Sequence, residues 1–175
     1  ARGYVRDVIR TAVREWGYPY LKLDFLYSAA LPGAFYDRTK TRAQVLRQAP
    51  ELIREEAGED TILLGCGCPL GSGIGIFDMF RISADVSPEW EPNAYGIKKP
   101  FKAEPNMPCA RNAIQNIITR APMDPHWWVN DPDCLLVRKD SKLTLPEVQS
   151  LATAISLSGG AILISDDMSK LSEDR

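Results

Sequence analysis

The sequence is short of histidine, of cysteine and of long apolar runs, and each shortage removes a class of function. In 175 residues there is one histidine, His126, and there are four cysteines, Cys66, Cys68, Cys109 and Cys134. A structural zinc site takes four Cys or His ligands. Cys66-Gly67-Cys68 offers two, and no histidine pair can complete the set, so no metal is expected. A disulfide framework belongs to small, loop-rich secreted chains, which this is not, so the cysteines are expected to be reduced and packed. No apolar run approaches the roughly 20 residues that span a bilayer, so no membrane partner is expected. Nor is there a cationic excess: the formal net charge is -2, which makes nucleic acid and anionic membranes poor partners. No signal peptide is expected, because Ala1-Arg2-Gly3-Tyr4 opens directly into a helical pattern. The start also lacks a Met, and both ends read as cut from a longer protein. Reduced thiols without a visible signal favour a cytoplasmic location.

What is present is an ordinary globular composition, 45% hydrophobic, with enough apolar mass for one domain-sized core. The most informative stretch is Tyr20-Leu21-Lys22-Leu23-Asp24-Phe25-Leu26-Tyr27. Leu21, Leu23 and Phe25 alternate with Lys22 and Asp24, which predicts a two-faced strand at 20–26. Its polar face carries a cation and a carboxylate at the strand end, an expensive arrangement unless something uses it. The pattern returns at 79–84, where Phe80, Ile82, Ala84 and Val86 alternate with Arg81, Ser83 and Asp85.

Helical patterns separate the strands. Val5, Val8, Ile9, Ala12, Val13 and Trp16 form a stripe stopped by Gly17 and Pro19. A second helix is expected over about 41–57, with Val45, Leu46, Ala49, Leu52 and Ile53 on one face. Pro50 inside it predicts a kink or two short helices. Thr61-Ile62-Leu63-Leu64-Gly65 reads as a buried strand, followed by a glycine-rich loop at 67–75. The stretch 86–106, with Pro88, Pro92, Pro100 and Pro105, reads as a long functional loop. Asn106 and Pro108 are start signals for a helix carrying Ala110, Ala113, Ile114, Ile117 and Ile118. Trp127-Trp128-Val129-Asn130 predicts a fourth strand. Thr144-Leu145-Pro146-Glu147 is a capping box opening a helix to about Ser158, which Gly159-Gly160 ends. A fifth strand is expected over Ala161–Asp166.

Strands alternating with helices imply right-handed parallel β/α units. The rival to a barrel is a Rossmann-like sheet, but Gly71-Ser72-Gly73-Ile74-Gly75 lacks the third glycine at the required offset and a strand follows it. A barrel suits strands whose polar residues gather at their C-terminal ends. About five strands cannot close an eight-stranded barrel, which takes about 250 residues. The expectation is therefore an α/β fold, a partial (β/α)8 TIM barrel, in which residues 1–175 form the later part of one catalytic domain. Asp24 and Asp85 would be paired carboxylates at its mouth, the minimum equipment for glycoside hydrolysis. Lys22 would favour an ionised Asp24, and Arg81 would bind a hydroxyl or orient a carboxylate. Trp90, Trp127 and Trp128 could be sugar platforms or core. Taken alone, these residues also admit sugar-phosphate lyases and metal-dependent barrels.

Four segments narrow the choice. Tyr20-Leu21-Lys22-Leu23-Asp24-Phe25, Leu64-Gly65-Cys66-Gly67-Cys68-Pro69-Leu70, Arg81-Ile82-Ser83-Ala84-Asp85 and Trp127-Trp128-Val129-Asn130-Asp131-Pro132-Asp133-Cys134 closely resemble glycoside hydrolase family 36. This is the melibiase-type α-galactosidase family, related to family 27. The resemblance runs from the first helix to Ser165-Asp166-Asp167. It implies a retaining α-galactosidase acting on terminal α-linked galactose in oligosaccharides such as melibiose and raffinose. It maps the nucleophile onto Asp24, the acid/base onto Asp85, and sugar contacts onto Lys22 and Arg81. Cys66 and Trp90 are further candidates for substrate contact. Asp131, Asp133 and Asp166 are equally readable as loop carboxylates capping backbone N–H groups, and His126 as structural. The resemblance implies no metal and no organic cofactor, a galactoside as the partner, and homo-oligomers in the full-length enzyme. It departs from the family in two respects: the first barrel strands, which carry acidic residues reading the axial hydroxyl of galactose, are absent, and Pro50 within a barrel helix is unusual, with an expected effect on stability. An α-N-acetylgalactosaminidase, a raffinose-synthase-type transferase, and an inactive carbohydrate-binding fragment remain as alternatives.

Overall fold

The computed structural model describes residues 1–93, 96, 97 and 103–173. The chain divides into two compact units, Ala1–Phe80 and Arg81–Arg175, each with parallel strands and helices in alternation.

The first unit opens with α1 (Arg2–Arg10), which widens into a π-helical turn at Thr11–Glu15. Arg2, Arg6, Arg10 and Arg14 recur every four residues and so share one face. They reach α2 (Arg42–Ala57): Arg2 bonds Gln48 at 3.2 Å, Arg6 bonds Glu55 at 2.8 Å and Glu56 at 3.0 Å, and Arg10 bonds Glu56 at 3.1 Å. The expected apolar stripe is thus only partly the packing face. Ile9 is buried, while Val8 and Trp16 are exposed. A buried carboxylate is tolerated when cations surround it, and Arg6, the largest influence, holds the Glu56 carboxyl below its usual value.

Helix α2 starts at a capping box, Thr41 with Gln44, and passes through Pro50 as one continuous element, not two short helices. A mid-helix proline clashes with the carbonyl four residues back and costs about 3 kcal/mol. Here Pro50 lies on the buried face with Leu46, Leu52, Ile53 and Ala57, and burying such side chains contributes about 1.5–3 kcal/mol each, enough to hold the helix together.

Strands β1 (Tyr20–Leu23) and β2 (Ile62–Gly65) pair in parallel, Tyr20 opposite Ile62 through Leu23 opposite Gly65. A short α3 (Leu70–Gly73) occupies the stretch expected to be loop. Strand β3 (Met79–Arg81) then pairs with β2 through Leu64 opposite Met79 and Gly65 opposite Phe80. The strand expected at 20–26 therefore stops at Leu23. Phe25 takes a left-handed backbone, φ 54°, and a 3-10 turn follows at Leu26–Ala30. The strand expected at 79–84 likewise stops at Arg81.

The second unit holds α4 (Ala110–Arg120), β4 (Val129–Asp131), β5 (Cys134–Leu135), α5 (Leu145–Leu157) and β6 (Leu163–Ile164). The Ile82 N–H donates to the Asp131 carbonyl at 3.0 Å, and β5 pairs in parallel with β6. Helix α5 begins at the expected capping box, Thr144 with Glu147. Ala113 and Ile117 of α4 meet Leu151 and Ile155 of α5 in a fully buried cluster, with Val86 and Leu135 packed on it. Strand β5 is an addition to the expected five. The strand expected over 161–166 shrinks to two residues, and the one expected from Trp127 starts at Val129. The stretch 86–106 carries no helix among its described residues, and Pro100 lies outside them. No helix among the described residues is long and apolar enough to cross a membrane.

Candidate active site

In the first unit, chemistry gathers where β1 and β2 end. Asp24 directly follows β1, and its Oδ1 accepts the Phe25 N–H at 2.7 Å. That bond and the left-handed Phe25 turn the chain sharply and leave the Asp24 carboxylate on an exposed corner. The loops are laced together: the Cys66 N–H donates to the Leu23 carbonyl at 2.9 Å and the Tyr27 N–H to the Gly67 carbonyl at 2.7 Å. Gly67 has φ +53°, and a Cβ there would lie 3.3 Å from the Phe25 backbone, so glycine lets the two loops approach. Cys66 is buried one residue past the last β1–β2 register pair, level with Asp24. Lys22 is exposed on the strand itself. Lys22, Asp24 and Cys66 thus converge at the C-terminal ends of neighbouring parallel strands, the edge at which barrel enzymes place their sites.

In the second unit the organising residue is Arg81, whose guanidinium is engaged by three carboxylates. Nη1 bonds Asp85 Oδ1 at 2.9 Å, Nη2 bonds Asp133 Oδ1 at 2.7 Å, and Nε bonds Asp131 Oδ2 at 3.2 Å. The planar fork of arginine suits such multiple recognition. Exposure of the three partners differs sharply: the side chains of Asp131, Asp133 and Asp85 are 1%, 15% and 71% exposed. Asp85 is the accessible member.

Asp131 and Asp133 do cap backbone N–H groups. Asp131 Oδ1 accepts the Asp133 N–H at 2.8 Å, and Asp133 Oδ2 accepts the Val86 N–H at 2.7 Å. Both also pair with Arg81, an arrangement the sequence reading missed. Its signal was an arginine ending one strand and an Asp-Pro-Asp ending another. Burial pushes the Asp133 carboxyl above its usual value, against the pull of Arg81 and the Val86 N–H. Ser83 is buried and donates to the Pro132 carbonyl at 2.8 Å, rather than facing an open mouth.

The remaining candidates are placed as follows. Trp90 is half-buried and packs on the cluster of Ala110, Leu143 and Val148. Trp128 is buried and donates its indole N–H to Asn130 at 3.0 Å, whereas Trp127 is exposed. Asp166 follows β6, and its buried Oδ2 accepts the Val137 N–H at 2.6 Å and the Arg138 N–H at 3.2 Å. His126 is exposed. All four cysteines remain thiols. Burial pushes Cys68 up to about 11 and also raises Cys109 and Cys134.

Comparison with solved structures identifies the fold. Over 99% of its length the chain superposes on the α-galactosidase TtGalA of Thermus thermophilus in complex with stachyose, at 33% identity and TM-score 0.81. The same enzyme in complex with p-nitrophenyl α-D-galactopyranoside gives the same identity and TM-score. The chain belongs to glycoside hydrolase family 36. It spans about a third of the relative's length, 35% of that chain in the stachyose complex. α-Galactosidase I of Mortierella vinacea matches 98% of this chain and 43% of its own at TM-score 0.66 and 16% identity, a likeness of fold alone. The fold is thus part of a glycosidase TIM barrel, as expected. No protein-family profile matches the chain.

Proposed function

We propose that the protein is a retaining α-galactosidase that removes terminal α-linked galactose from oligosaccharides. The observation that carries this reading is the 33% identity with TtGalA, solved with stachyose and with a nitrophenyl α-galactoside. The Lys22-x-Asp24 and Arg81-x-x-x-Asp85 motifs support it. Asp24 is the nucleophile, exposed on the corner after β1; its attack on the anomeric carbon forms a covalent glycosyl-enzyme. Asp85 protonates the leaving oxygen, and then takes a proton from the water that releases galactose, restoring both groups. Lys22 and Arg81 contact the sugar, with Cys66 and Trp90 as further contacts.

The test is made on an active protein containing this sequence. Asp24→Ala should abolish turnover of both p-nitrophenyl α-galactoside and raffinose, and substantial residual activity removes Asp24 from the nucleophile's role. The two carboxyl groups should lie about 5–5.5 Å apart in a crystal of that protein. A separation near 8 Å would point instead to an inverting enzyme.

A further inference from the structure

The function proposed above uses Asp85 as a proton donor but leaves open what aims it. A carboxylate that is 71% exposed has no packing to fix its rotamer, and a misplaced catalytic group is costly. Its surroundings supply two restraints. The carboxylate itself is held by Arg81 Nη1 at 2.9 Å, and the backbone directly after it is held by the Val86 N–H bond to Asp133 Oδ2 at 2.7 Å. Asp133 is common to both, because its other oxygen holds Arg81 Nη2 at 2.7 Å.

We propose that Asp133 is a positioning residue for Asp85, fixing the carboxylate through Arg81 and the backbone through Val86. The proposal rests on the acid/base reading of Asp85. Asp133 is itself over-determined, as a positioning group must be. It has a left-handed backbone, φ 72°, and the buried Asp131 accepts its N–H at 2.8 Å. Ser83 clamps the intervening Pro132 carbonyl at 2.8 Å, and the Ile82 N–H holds the Asp131 carbonyl at 3.0 Å. Segments 81–86 and 131–133 are therefore laced at several successive points, and Asp133 delivers that rigidity to Asp85. Asp131 supports the same guanidinium from a third side, at Nε.

The readout is dependence on the leaving group. A nitrophenolate departs without a proton, whereas a sugar leaving group needs one, so loss of acid catalysis falls mainly on the oligosaccharide. Asp85→Ala sets the reference and should lower first-step turnover of raffinose by about 10²–10⁴-fold, with a much smaller effect on kcat/KM for the nitrophenyl galactoside. In Asp133→Asn one amide oxygen can still accept from Val86, but the amide N–H₂ cannot pair with Arg81. This variant should lower raffinose kcat/KM by about 10–100-fold, change the nitrophenyl substrate several-fold less, and leave the folded circular dichroism signal intact. Equal losses on both substrates, or none, overturn the positioning role. If Asp133→Asn does not fold, Asp133→Glu keeps the charge but displaces the carboxylate by one methylene. It should shift the substrate ratio in the same direction, and a parental ratio overturns the proposal. If Asp85→Ala itself shows no leaving-group dependence, the acid/base assignment fails, and that failure is distinct from failure of the Asp133 variants.

Discussion

Asp131→Ala should destabilise the protein by about 3 kcal/mol, near the lower end of the range for removing one partner of a buried ion pair. The side chain is 1% exposed and faces Arg81, itself 9% exposed, at 3.2 Å. Two losses combine. The guanidinium gives up one of three carboxylates but keeps Asp85 and Asp133, so it is not left uncompensated and the full penalty does not apply. The Asp133 N–H, held at 2.8 Å by Asp131 Oδ1, loses its acceptor, and an unsatisfied amide costs about 1–3 kcal/mol. Asp131→Asn separates the two effects, because its amide oxygen can still accept from Asp133 while its N–H₂ faces the guanidinium. It should cost about 1–2 kcal/mol, leaving a difference of about 1–2 kcal/mol for the bond to Asp133. Urea unfolding followed by tryptophan fluorescence measures both, since Trp128 is buried and bonded to Asn130 next to Asp131. The midpoints should fall with the slope unchanged. A loss below about 1 kcal/mol for Asp131→Ala, or equal losses for Ala and Asn, refutes the reasoning.

Gly160 has φ +84°, and a Cβ there would collide with the Asn130 carbonyl, which accepts the Ala161 N–H at 2.8 Å. Gly160→Ala should cost about 1–3 kcal/mol, seen as a lower Tm; a parental Tm excludes this backbone. The Glu56 carboxyl is held below its ordinary 4.5, chiefly by Arg6, so its contribution is present above 4.5 and lost as pH falls through the lower folded value. Unfolding midpoints measured down to pH 3 should drop less steeply in Glu56→Gln than in the parent, and parallel curves would remove Glu56 from the acid response. Asp133 works in the opposite sense. Its carboxyl is raised by burial, so the stability linked to its protonation is full below 3.8 and is lost as pH rises through the folded value. For Cys68, a thiol moved from 9.0 to about 11 has about a hundredfold less thiolate at pH 8. Iodoacetamide should label it that much more slowly in the folded protein than in urea, and equal rates would refute its burial.

The sequence carried the alternation of strands and helices because apolar period and capping chemistry are local. Thr144 with Glu147 announced α5, and Thr41 began α2 as the apolar face required. Strand lengths were less legible. Tyr20 to Leu26 alternates throughout, yet Phe25 turns left-handed because the Asp24 side chain offers its N–H a local partner, and alternation cannot register such competition. Strand β5 was invisible because two residues after a proline have no period. At the site, Asp24, Asp85, Lys22 and Arg81 stood out as charges on otherwise apolar strands. The triple engagement of Arg81 did not, because it joins residues about fifty positions apart, Arg81 with Asp131 and Asp133. Of the two outcomes that Pro50 predicted, a kink or two short helices, the second does not occur: the local cost of a helix-breaking residue is met by the buried face around it, and α2 stays one element.

Val86 connects these levels. Its N–H is held by Asp133, and its side chain packs on the cluster formed by Ala113 and Ile117 of α4 with Leu151 and Ile155 of α5. The residue beside the acid/base candidate is thus located twice, by a carboxylate on the polar side and by a dry core on the other. Core side chains sit in close-packed positions and transmit displacement rather than absorb it. A cavity made at Ile117 or Leu151 should therefore reach Asp85 through the backbone of Val86, without removing any of the three carboxylates that pair with Arg81. The two restraints are separable: the ion cluster sets where the carboxylate points, and the α4–α5 core sets where its backbone stands. The acid role proposed for Asp85 would draw on both, because neither restraint alone fixes the position of an exposed carboxylate.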